Sequence, residues 1–161
     1  MANVAAESWR KDRIGSALRG ENPTVVRRLT RGFAVMGDAQ FLPGYCVLLV
    51  DDPSVTRLSD MPRPLRLEYL ADLELLAEAV EIGCRGLDPA LRRVNLEILG
   101  NTDAYLHAHV FPRYTWEPAA LMVGPVWRYP DSRWSEVGTL LGPQHEPLKA
   151  VIGEAIDGLR H

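Results

Sequence analysis

The chain has 161 residues, 47% of them hydrophobic, and a formal net charge of -3. That length suits one domain with a full core, and so mild a charge leaves no basic footprint for DNA or RNA, so no nucleic-acid partner is expected. Cys46 and Cys84 form no CxxC pair and read as buried thiols of a reducing compartment, the N-terminal residues are polar, and no run approaches the roughly 18 apolar residues of a membrane helix. A cytoplasmic protein with no membrane partner is the expectation.

In chain order, residues 7–19 carry Trp9, Ile14, Ala17 and Leu18 as the apolar members of a helix that stops at Gly20. After the turn Glu21-Asn22-Pro23, the β-branched run Thr24 to Leu29 predicts a first strand, and Phe33 to Met36 a second, ended by Gly37-Asp38. Leu42-Pro43-Gly44 turns the chain into Tyr45 to Val50, a continuous apolar run suited to a central strand. Asp51-Asp52-Pro53 ends it. A long helix follows, capped by Ser59 or Asp60, with Pro62 and Pro64 in its first turns. Its apolar stripe is Leu70, Leu73, Ala77, Val80, Cys84 and Leu87, and Gly86 and Pro89 mark its end. Arg92 to Leu99 is the next strand, and Gly100 to Asp103 the turn after it. Residues 114–144, rich in Pro, Gly and Trp, predict an irregular meander with one short edge strand at Val126 to Tyr129. Residues 145–159 read as a terminal helix, with His145 at its start and His161 at the chain end. Strands and helices do not alternate regularly, so the class is α+β with an antiparallel sheet.

The run Tyr105-Leu106-His107-Ala108-His109-Val110-Phe111-Pro112-Arg113 carries the chemistry. As a strand it puts Tyr105, His107, His109 and Phe111 on one face and the small apolar residues on the other. Imidazole attacks phosphorus, and its N-phosphoryl adduct is labile to water. One ring nitrogen must then face phosphorus while the other is fixed by an acceptor such as a backbone carbonyl. A second imidazole on the same face can bind a phosphate oxygen or protonate a leaving group. His-x-His on a strand is also a zinc pair, for which His145 or Asp103 would be a third ligand, and two ordinary histidines are the third reading. Spacing alone leaves all three open. Arg113, after a proline at the strand end, reads as a salt-bridge residue, and Trp116, Trp127 and Trp134 as packing residues.

The residues also carry a resemblance. Asn101, followed by His107-Ala108-His109-Val110-Phe111-Pro112, resembles the signature His-φ-His-φ-His-φ-φ (φ apolar) of the histidine triad family, with Tyr105 in place of the first histidine. Asn95 to Asn101, Gly20-Glu21-Asn22-Pro23, Phe41 to Tyr45 and Leu58-Ser59-Asp60-Met61 are similar to its bacterial diadenosine-polyphosphate-hydrolase-like branch. The likeness spans about residues 12–118 of what reads as a single domain over 1–161. It implies a HIT-like fold, a five-stranded antiparallel sheet with one long helix across it plus N- and C-terminal helices, in a homodimer. The implied activity is nucleotide hydrolysis or nucleotidyl transfer on dinucleoside polyphosphates, phosphate esters or phosphoramidates. His107 would be the nucleophile that becomes nucleotidylated. His109 would contact phosphate and leaving group, and Asn101 would hold that side, with Tyr105 completing the catalytic set. Asp38 would bind the ribose, and Ile14 and Leu18 would line the base pocket. No cofactor is required, though a divalent cation can accompany the substrate. Tyr45 replaces the histidine of the family's Pro-Gly-His element, and Asp51-Asp52 its usual Lys-His. Those losses of positive charge weigh against highly charged dinucleotides. The incomplete triad leaves a nucleotide-binding protein with little or no turnover as one alternative, and His107 and His109 as metal ligands leave a metal-dependent hydrolase as another.

Overall fold

The computed structural model describes residues 4–160, with side chains from residue 7; His161 lies outside them. Five strands form one antiparallel sheet: β1 (Val25–Arg28), β2 (Gly32–Met36), β3 (Cys46–Val50), β4 (Leu91–Glu97) and β5 (His107–Tyr114), in the order β1-β2-β3-β5-β4. Among the described residues four α-helices accompany it: α1 (Arg13–Leu18), α2 (Arg63–Leu87), α3 (Ala119–Met122) and α4 (Glu146–Leu159). The expected α+β class and antiparallel sheet with a long helix are therefore present.

Alternation along β3 and β5 divides the sheet's two faces. Cys46, Leu48, Val50, Ala108 and Val110 form one set, and Val47, Leu49, His107, His109 and Phe111 the other. Helix α2 packs on the sheet, and its buried Tyr69 donates its hydroxyl proton to the Leu48 carbonyl at 3.0 Å. The buried stripe of α2 differs from the predicted one. It runs Tyr69, Leu73, Leu76, Val80 and Cys84, while Leu87 is 55% exposed. Helix α4 packs against α2 as well, so the helix is covered on two sides and Asp72, Ala79 and Gly83 are buried too. Asp72 uses its burial: its carboxylate accepts the Thr30 and Arg31 N–H groups and fixes the β1–β2 turn.

Local chemistry corrects several expected boundaries. The N-terminal helix is split. Val4–Lys11 is a 3-10 segment, and Asp12 caps α1 by accepting the Gly15 N–H at 3.0 Å. Leu58–Asp60 is a separate 3-10 turn, so α2 starts at Arg63 after Pro62 rather than at Ser59 or Asp60. Val126–Arg128 is a 3-10 turn, not an edge strand, because Tyr129 N–H closes back on the Val126 carbonyl. Strand β5 begins at His107, so Tyr105 precedes it. The meander between α3 and α4 returns to β2: Leu140 bridges Ala39, Leu141 N–H reaches the Asp38 carbonyl and Gln40 N–H the Thr139 carbonyl. Every residue of β5 is buried.

Candidate active site

Each histidine is held by a different kind of partner. His107, paired with Leu49 of β3, has Nδ1 at 2.9 Å from the backbone carbonyl of Tyr105. A carbonyl only accepts, so Nδ1 carries a proton, and in the neutral ring the lone pair is on Nε2. The turn of chain just before β5 makes this possible, since it brings the carbonyl of residue 105 alongside the ring of residue 107. His109, paired with Val47, has Nδ1 at 2.8 Å from the Tyr45 hydroxyl. The two imidazole rings lie 5.0 Å apart, nearly perpendicular at 80°. Burial, reinforced by the neighbouring His107, lowers the pKa of His109 from 6.5 to about 4, so it is neutral at pH 7.

Two cavities meet at this pair. The smaller, about 210 Å³, extends toward β2 and α1 and is lined by Arg13, Asp38 and Tyr105 among others. The larger, about 500 Å³, is walled by Leu99, Asn101, Trp127 and Trp134. Tyr45, Asp103, His107, His109 and Trp134 border both. Asn101 thus reaches the second cavity from an exposed turn, on the same side as the tryptophans. Asp38 lies in the first cavity, but Arg10 and Arg13 occupy its carboxylate, Arg10 at 2.9 Å. Burial works against the Arg13 guanidinium, yet its bond to Asp38 holds its pKa above the usual value. Arg13, which nothing in the sequence singles out beyond its place next to Ile14, lines the smaller cavity. Ile14 and Leu18 line neither cavity. Ile14 is buried in the core and Leu18 is 45% exposed, because the α1 face toward the site is the one that carries Arg13.

The other candidates fall outside. His145 uses Nδ1 to accept the Gly142 N–H. Arg113 is buried and bonded to Glu117 at 2.8 Å, the salt bridge expected of it. Among the described residues no group of three His, Cys, Asp or Glu could hold a metal ion. Trp134 packs edge-on against Phe41, whereas Trp127 is 43% exposed, gives its indole N–H to Glu97, and stands edge-on to His109 at 5.2 Å. No helix among the described residues is long and apolar enough to cross a membrane.

No protein-family model matches the sequence, and no curated protein does. Solved structures do. A histidine triad protein from Marinobacter aquaeolei VT8 is 20% identical with a TM-score of 0.64, over 84% of this chain and 89% of that one. A hypothetical histidine triad nucleotide-binding protein from Sulfolobus tokodaii strain 7 is 15% identical with a TM-score of 0.65, over 91% and 92%. A zinc-bound histidine triad family protein from Mycobacterium smegmatis is 16% identical with a TM-score of 0.61, over 90% and 92%. The fold is the histidine triad fold. Within that fold the chain presents His107 and His109 at the junction of two cavities, with a tyrosine at position 105.

Proposed function

We propose that the protein is a nucleotidyl hydrolase or transferase in which His107 attacks the α-phosphorus of a nucleoside phosphate derivative. One observation carries this reading: the Tyr105 carbonyl accepts a hydrogen bond from His107 Nδ1–H, which in the neutral ring leaves Nε2 as the lone-pair nitrogen of an imidazole bordering both cavities. The nucleoside occupies the Asp38 side and the leaving group the tryptophan side. In the first step the His107 Nε2–P bond forms and the bond from phosphorus to the leaving group breaks. The leaving group takes a proton from His109 in its imidazolium form, which the anionic phosphoryl group beside it favours. In the second step water attacks phosphorus, gives a proton to His109, and returns the Nε2 electron pair to His107, releasing the nucleoside monophosphate.

The larger cavity narrows the substrate. No Lys or Arg lines it, Asp103 does, and Glu97 stands behind Trp127. A polyphosphate leaving group would meet like charge there. The aromatic walls and acidic rim instead suit an ester or phosphoramidate with an apolar or cationic leaving group, so we rank dinucleoside polyphosphates below these. Incubation with a radiolabelled nucleoside phosphoramidate is expected to give an acid-labile protein adduct that His107→Ala abolishes. Turnover that survives His107→Ala sinks the mechanism; binding of the monophosphate without any turnover favours a nucleotide-binding protein instead.

We also infer a homodimer built on β4, an edge strand whose Leu96 is 46% exposed beside Ile82 of α2, 50% exposed, in a groove also lined by Ala77 and Val94. Sedimentation at several concentrations tests it, and Leu96→Lys is expected to shift the protein toward monomer.

A further inference from the structure

We propose that Tyr45 is a positioning residue for His109: its hydroxyl fixes that imidazole as the Nε2–H tautomer, opposite to His107. Tyr45 is buried, and its hydroxyl has one hydrogen-bond partner among the described residues, His109 Nδ1 at 2.8 Å. A phenol has a single proton to give. If Nδ1 of His109 carried its own proton in the neutral ring, the phenol proton of this buried side chain would have no acceptor among the described residues, which is unfavourable. Burial also holds the phenol well above its usual pKa, so that proton stays on oxygen. Tyr45 therefore donates to Nδ1, and the His109 proton sits on Nε2.

The ring of Tyr45 has little freedom to do otherwise. It stacks on Phe111 with centroids 4.2 Å apart and planes 13° from parallel, and Trp134 meets it edge-on at 6.3 Å. On another side it presses on Gly37, where a Cβ would fall 2.1 Å from the Tyr45 ring. Gly37 is the clearance that lets the hydroxyl reach His109. The charged and titratable groups around the pair are His107 on β5, Asp38 and Arg13 on the β2 side, Asp103 from the β4–β5 turn, and Glu97 behind Trp127. None of them hydrogen-bonds His109, so the tautomer rests on Tyr45.

The consequence is a division of labour set by two tyrosines. Tyr105 offers a carbonyl and makes His107 a lone-pair donor. Tyr45 offers a hydroxyl and makes His109 an N–H donor toward the same space. A hydroxyl both donates and accepts. When substrate makes His109 an imidazolium, the added proton sits on Nδ1 and the Tyr45 hydroxyl turns to accept from it. The Nε2 proton passes to the leaving group, water returns a proton to Nε2, and loss of the Nδ1 proton to solvent after product release restores the resting tautomer. In the catalytic part this rests on the nucleotidyl-transfer reading; the tautomer itself does not.

Long-range nitrogen–proton spectra of the imidazoles at pH 7, recorded on the nitrogen-labelled whole protein, test it. Wild type is expected to show His109 with bare Nδ1 and protonated Nε2, and His107 with the reverse. Tyr45→Phe, which removes one oxygen only, should turn His109 into a tautomer mixture and leave His107 unchanged. Gly37→Ala keeps the hydroxyl but displaces the ring, and should shift His109 in the same direction. A wild-type His109 protonated on Nδ1, or a His109 spectrum unaltered by Tyr45→Phe, overturns the proposal. With a nucleoside phosphoramidate, Tyr45→Phe should lower kcat about tenfold with KM nearly unchanged; unchanged kcat overturns the catalytic part. If wild type turns over nothing, the functional reading fails while the spectra still decide this one.

Discussion

His109 should make stability depend on pH, with a sign the structure determines. Its pKa is about 4 in the folded chain against 6.5 for an unperturbed histidine, lowered by burial and then by His107. Between those values the unfolded chain binds a proton at this residue that the folded chain does not. Stability therefore rises with pH across the window; it is fully present above about pH 6.5 and lost as pH falls toward about 4. The difference, 6.5 minus 4, is 2.5, and at about 1.36 kcal/mol per pKa unit that sets an upper value near 3 kcal/mol. The ring opens onto the cavities, and solvent screening there brings the expectation to about 2 kcal/mol. Carboxylates titrate over part of the same range, so the diagnostic quantity is the comparison with His109→Phe, which keeps a flat ring between Phe111 and Trp127. Urea unfolding of both proteins at pH 7, 6 and 5 should show the wild-type midpoint falling by about 0.5 M more than that of the variant, for a slope of about 2 kcal/mol/M. Midpoints that fall in parallel would refute the reasoning, because they would mean that the folded ring binds its proton as readily as the unfolded one.

Other substitutions probe the scaffold. Glu117 accepts from Arg113, from the Tyr114 N–H and from the Tyr129 hydroxyl, all buried, so Glu117→Ala should lower unfolding free energy by about 3–5 kcal/mol, while the double change Arg113→Met with Glu117→Leu should cost much less. Gly44 has φ +98°, and a Cβ there would fall 2.2 Å from Cys84 Sγ, so Gly44→Ala should destabilise by about 2 kcal/mol or more in a thermal melt. Adding Cys84→Ala should recover the clash but not the backbone strain, leaving part of the loss.

The middle of the sheet was legible in the sequence because β2 and β3 are short apolar runs set off by turn residues. Tyr45 to Val50 between Pro43-Gly44 and Asp51-Asp52 is the clearest, and the observed strand differs from it by one residue. The histidine face of β5 followed from alternation alone. Contacts between distant segments were not legible. The Asp12 cap that splits the N-terminal helix is local, a bond to the Gly15 N–H three residues on, but nothing local says that Arg10 and Arg13 will take the carboxylate of Asp38. The base pocket expected at Ile14 and Leu18 came from the resemblance and met a helix whose site-facing residue is charged. The meander was hardest to read, because its 3-10 turns carry no period. Its contribution to the site, Trp127 beside His109 with Trp134 stacked on it, comes with ties to distant segments, the Trp127 indole to Glu97 and the backbone of 139–141 to that of 38–40.

Tyr105 stands where the histidine triad signature has its first histidine, the departure that leaves the triad incomplete. The structure assigns that position's service to His107 to its backbone carbonyl, which any residue supplies. The side chain does something else. Its ring lies 5.3 Å from that of His107 and lines the smaller cavity, and its hydroxyl makes no hydrogen bond among the described residues. Tyr105→Phe should therefore leave adduct formation near the wild-type rate. Tyr105→Ala should leave the nucleophile oriented while enlarging the cavity, so its cost should fall on KM more than on kcat. Rapid-quench measurement of adduct formation separates the two effects. If Tyr105→Phe abolished the adduct, the hydroxyl itself would have to take part in the chemistry, and a backbone carbonyl would not be enough to account for a reactive His107.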